Sequence, residues 1–110
     1  PDIVCVGENG EKLYIEYERD HYEQKSFNVK LNKMLFATPI INFVAPNREV
    51  CESLCKKMEK WAATKGTGGN MQNVVLRVTM AKSLNTNLRE DKNWAYTYRP
   101  TKDKGFVNNF

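Results

Sequence analysis

The run Ile40-Ile41-Asn42-Phe43-Val44, apolar at all but one position, constrains the fold of this chain more than any other segment. A short strand without alternation is buried on both faces, as parallel strands inside an α/β sheet are. Its neighbours fit a crossover on either side. Before it, residues 22–36 place Phe27, Leu31, Met34 and Leu35 at helical spacing, forming one apolar stripe. After it, Asn47 follows Pro46 as an N-cap, and Cys51, Leu54, Cys55, Met58, Trp61 and Ala62 mark the core stripe of a second helix. The opposite face of that helix carries Lys56, Lys57 and Lys60.

Upstream, Pro1-Asp2-Ile3-Val4-Cys5-Val6 reads as a strand, and Lys12-Leu13-Tyr14-Ile15-Glu16-Tyr17-Glu18 alternates as a second. Glu8-Asn9-Gly10 between them is a hairpin signal, and its length decides which residues meet. A three-residue loop with Gly10 left-handed pairs Gly7 with Glu11 and sets Asp2 opposite Glu16, with Glu18 on the same face. A two-residue Asn9-Gly10 turn instead pairs Asp2 with Tyr17, and aligns Val4 with Ile15 equally well. Both registers are open to the sequence.

Downstream, residues 66–70 form a Gly-rich connector; without a following Gly-Lys-Ser/Thr they do not make a phosphate loop. Residues 73–80 alternate, with Val74, Leu76, Val78 and Met80 on one face and Arg77 and Thr79 on the other. That pattern predicts a strand half exposed near a sheet edge. Trp94-Ala95-Tyr96-Thr97-Tyr98 predicts an optional last strand whose aromatics could stack on unpaired bases or bind a partner but more ordinarily pack on the core, and residues 99–110 are expected to be an extended or mobile tail. The element order, strand, strand, helix, strand, helix, strand, defines an α/β class with a mixed sheet flanked by helices.

At 110 residues the chain is expected to be one domain over residues 1–98 plus that tail. An opening on Pro-Asp already inside a strand reads as a piece of a longer protein. No apolar stretch approaches a membrane span, so no membrane association is expected. The formal charge of +4 leans toward a polyanionic partner. Three scattered cysteines suit a reducing, cytoplasmic compartment, and Cys51 and Cys55 read as core residues rather than metal ligands. His21, without a second His or Cys partner, reads as a surface residue.

An Asp opening one strand, a Glu-x-Glu on the next and a helix crossing to a buried parallel strand together resemble the PD-(D/E)xK nuclease superfamily. The stretch from Pro1-Asp2 through Ile15-Glu16-Tyr17-Glu18-Arg19, then Lys30-Leu31 and Lys33-Met34, is similar to the nuclease-like domain of replication-relaxation or plasmid-mobilisation accessory proteins. The resemblance implies a restriction-endonuclease-like core, with Asp2, Glu16 and Glu18 as ligands of Mg²⁺ or Mn²⁺. Glu18, at the position where the motif usually has lysine, would orient the attacking water. The missing positive charge would come from the helix, Lys30 first and Lys33 second, because Lys30 borders the apolar stripe.

Lys56, Lys57, Lys60 and Arg77 are candidate phosphate contacts, although a solvated face explains the helical lysines as well. The expectation is a DNA-processing domain of a mobile element or plasmid, binding DNA and able to hydrolyse phosphodiester bonds as a metal-dependent endonuclease. The alternative is a catalytically inactive nuclease-fold module making DNA or protein contacts in a conjugation or replication complex. The acids also have a plainer reading, as the solvated face of a strand that Asp2 caps.

Overall fold

The computed structural model describes residues 2–7, 9–19, 23–65, 71–84 and 87–110. The expectations for Pro1, Glu8, His21 and Tyr22, and for the connector at 66–70, lie outside the described residues. The strands are β1 (Ile3–Val6), β2 (Lys12–Tyr17), β3 (Ile40–Ala45), β4 (Val75–Met80), β5 (Tyr96–Tyr98) and β6 (Val107–Asn108). The helices are α1 (Gln24–Ala37) and α2 (Arg48–Lys65). The six strands lie in one mixed sheet in the order in which the chain makes them. Among the described residues, no helix is long and apolar enough to cross a membrane.

The hairpin takes the three-residue register. Ile3 faces Ile15 and Val6 faces Lys12, Gly7 N–H donates to the Glu11 carbonyl at 2.8 Å, and Gly10 has φ of +80°. That angle favours glycine, since a Cβ there crowds the following carbonyl. Nothing lies within 4 Å of a Cβ built on Gly10, so the cost of a side chain would come from the backbone alone. Gly10→Ala should destabilise the protein by about 1–2 kcal/mol, and Gly10→Asn by less, as read from urea midpoints. Equal midpoints for all three proteins would show that this turn does not hold the register.

β3 pairs in parallel with β2 on one side and β4 on the other, as its apolar run requires. Its single polar residue has a place: buried Asn42 donates to the Tyr14 carbonyl at 3.0 Å and accepts from Arg77 Nε at 2.8 Å. α1 ends at Thr38, whose N–H caps the Met34 carbonyl at 3.1 Å, because Pro39 forces the preceding residue out of helical geometry. α2 begins where Asn47 Oδ1 accepts the Val50 N–H at 2.9 Å, which is the expected N-cap.

Both helices cover the same face. Phe27 and Leu31 of α1 and Leu54, Met58 and Trp61 of α2 pack with Ile41, Phe43, Leu76 and Val78 in one apolar cluster. Two successive crossovers that step the same way across a sheet, with the same hand, place their helices on one side. The helices flank the sheet on that side only. The other face is closed by a smaller cluster of Ile15, Val44 and Trp94, with Leu88 packed against it. Cys51 and Cys55 are buried in the main core. The Cys55 thiol is pushed above its ordinary range by its hydrogen bond to Cys51 and then by burial, so it packs as a neutral apolar group.

Two expectations about the C-terminal half need correction. β4 is not at the sheet edge, because β5 pairs antiparallel along its outer side and both Arg77 and Thr79 are buried. Its alternating pattern reflects a polar network on the second face rather than solvent. Residues 99–110 are not a loose tail either. Arg99 N–H donates to Asp103 Oδ2 at 2.9 Å, β6 pairs with β5, and the Asn109 amide donates to the Asp91 and Trp94 carbonyls and to Thr97 Oγ1.

Candidate functional site

Glu16 lies in register with Phe43, so it projects to the helix side of the sheet. Glu18 follows two residues later, and its N–H extends the parallel ladder by donating to the Val44 carbonyl at 2.9 Å. Period-two alternation sends both carboxylates under α1. Lys30 meets them there. Its Nζ makes an ion pair with Glu18 Oε1 and lies 3.3 Å from Glu16 Oε2, 5.9 Å from the centre of the Phe43 ring. The side chains of Glu18, Glu16 and Lys30 are 3%, 11% and 29% exposed.

The position of Lys30 follows from the helix. Three residues after buried Phe27, it sits about 60° around the axis, at the border of the apolar stripe, where the stem packs and the ammonium reaches the strand. Lys33, the second choice, lies about 60° further from the core. It is exposed and joins no ion pair among the described residues.

Asp2 does something different. By register it stands opposite Glu16, but its Oδ2 accepts the Tyr17 N–H at 2.8 Å. In the alternation of this ladder, that N–H would otherwise seek a main-chain carbonyl on the first strand. Among the described residues, no group of three or more His, Cys, Asp or Glu side chains is placed to hold a metal ion. Asp2, Glu16 and Glu18 therefore do not make the expected three-carboxylate centre. The two carboxylates that do come together have the Lys30 ammonium between them.

No family model, curated protein or solved structure matches this chain. The site's meaning therefore rests on its own residues. The solvated-strand reading of the acids fails, since a carboxylate as buried as Glu18 would be costly without the Lys30 ammonium. The remaining candidates separate by burial. Lys56 and Lys60 are exposed on α2. Lys57, half-buried, donates from Nζ to Ser53 Oγ at 2.9 Å. The three lysines line a groove of about 500 Å³ together with Glu49 and Glu52.

Arg77 is a correction, because it does not reach solvent. Its Nε bonds Asn42 Oδ1, its Nη1 donates to the Arg89 carbonyl at 2.9 Å and lies 3.6 Å from Asp91 Oδ1, and its guanidinium sits 5.1 Å from the centre of the Trp94 ring. Burial pushes its pKa down, and the Asp91 carboxylate opposes that shift. Asp91 also holds Arg99, with Nη1 to Oδ2 at 2.7 Å. This network was missed in the sequence because its members come from three separated segments. Strand alternation showed only that Arg77 faced away from the main core.

Proposed function

We propose that this chain is a DNA-engaging domain of nuclease-like fold, working in the cytoplasm in the replication or mobilisation machinery of a mobile element, with an acidic centre that is not catalytic. The observation that carries this reading is Lys30 closing on Glu16 and Glu18 while Asp2 is held by the Tyr17 N–H. The order hairpin, helix, parallel strand, helix, strand supports the nuclease-like part. The free cysteines suit a reducing compartment. The exposed lysines of α2 supply the polyanion contact.

A catalytic reading has one observation in its favour, the ammonium of Lys30 beside the acids, where the resemblance wants a lysine. It requires Asp2 to leave Tyr17 and the glutamates to exchange Lys30 for a divalent cation.

Calorimetric titration with Mg²⁺ or Mn²⁺, run beside a plasmid-nicking assay, decides between the two. We expect no saturable heat at millimolar metal, no nicking, and DNA binding that weakens when Lys56, Lys57 and Lys60 are changed together to glutamate. Metal binding that disappears in Glu16→Ala, or metal-dependent nicking, would establish the enzyme instead. Failure to bind DNA at low salt would overturn the DNA reading altogether.

A further inference from the structure

The solvent face of α1 interleaves exposed apolar side chains with lysines. Lys25, Val29, Lys33 and Phe36 follow one another at helical spacing and share one arc of the helix. Phe36 is 94% exposed and Val29 is 50% exposed. α1 contains no Asp or Glu from Gln24 to Ala37, so the apolar groups on this arc are accompanied by positive charge alone.

α2 extends the same field. The two helices lie side by side, with Gln24 Nε2 donating to the Lys57 carbonyl at 2.8 Å and Trp61 Nε1 donating to Asn32 Oδ1 at 3.0 Å. Together they carry eight Lys and Arg against three Glu. One of the eight, Lys30, is taken up by Glu16 and Glu18 beneath α1, which leaves a positive surplus of four on the two helices.

We infer that the outer face of α1 is a binding track for single-stranded DNA, in which Phe36 stacks on an unpaired base and Lys25 and Lys33 hold the neighbouring phosphates. This rests on the DNA-engaging reading above and narrows it to one form of DNA. Charge complementarity calls for an anionic occupant, and the exposed ring calls for one that offers flat apolar surface beside its charges. An unpaired strand offers both, because every base has a π-face. A duplex hides those faces in its stack and would leave Phe36 against phosphate. From Lys25 to Phe36 the track runs about 16 Å along the helix.

The test is fluorescence anisotropy with a labelled oligo-dT of about 12 nucleotides and a duplex of equal length, using the full chain. The parent should bind oligo-dT more tightly than duplex. Phe36→Ala should weaken oligo-dT binding about tenfold and leave duplex binding unchanged, while Phe36→Trp should retain it. Changing Lys25 and Lys33 together to glutamine should lower the slope of log affinity against log salt by about 1.4. Because these residues are exposed, thermal melts of the variants should match the parent.

Oligo-dT binding that is indifferent to Phe36→Ala would overturn the inference, as would a preference for duplex or displacement of oligo-dT by polyglutamate at equal concentration. Duplex binding without oligo-dT binding would sink this inference and leave the DNA reading standing. Absence of binding to either would sink both.

Discussion

Lys30→Met should lower the unfolding free energy by about 2–3 kcal/mol, measured as a shift of the urea midpoint at unchanged slope. Removing one partner of a fully buried ion pair costs about 3–5 kcal/mol, because the other charge is left without compensation. The expected value here is smaller because the Lys30 side chain retains 29% exposure. Methionine keeps most of the stem that packs beside Phe43 and removes the ammonium, so Glu16 and Glu18 are left facing each other under α1. The double variant Lys30→Met with Glu18→Gln should recover much of the loss, since only one buried carboxylate then remains. A Lys30→Met protein as stable as the parent would mean that the lysine does not compensate the acids, and the reading of Lys30 as their counter-ion would have to be abandoned.

Arg77→Ala should cost about 3 kcal/mol, the lower end of the range for breaking a buried charge pair, because Asp91 is itself 34% exposed. Besides the Asp91 pair, three further contacts are lost. Asn42 loses the donor to its Oδ1, the Arg89 carbonyl loses its partner, and Trp94 loses the guanidinium packed against its ring. Arg77→Lys should not rescue, since a single ammonium cannot reproduce the Nε and Nη1 directions at once. Hydrogen exchange should rise at residues 87–95, which close the second face of the sheet through this side chain. A loss below about 1 kcal/mol, the scale of one ordinary hydrogen bond, together with unchanged exchange there would show that the network is peripheral.

These residues also mark where local patterns are informative and where they stop. The helices, the parallel strand and the Asn47 cap were legible because each depends on residues within a turn or two of one another. The hairpin register was not, because Asn9-Gly10 suits a two-residue and a three-residue turn alike; the pairing of Ile3 with Ile15 and of Gly7 with Glu11 decided it. Lys30 was recognisable as the lysine nearest the core from its angle to Phe27. What it would touch was not recognisable, because Glu16 and Glu18 approach it only after α1 crosses back over the sheet.

Arg77 shows the limit from the other side. On a strand, a polar residue facing away from the main core has the same pattern whether it meets water or a second buried layer. Residues 84–93 are mostly polar, so nothing local announces that Leu88 packs with Trp94 over that face. Likewise, Asp2 stands in register with Glu16, yet its carboxylate turns to the Tyr17 N–H, a choice between two partners of similar reach. The order and type of the elements come from periodicities that a short stretch of chain carries in itself. Whether a charge serves as a ligand, a counter-ion or a strut depends on what lies across from it, and that is set only when distant segments pack and water is excluded between them.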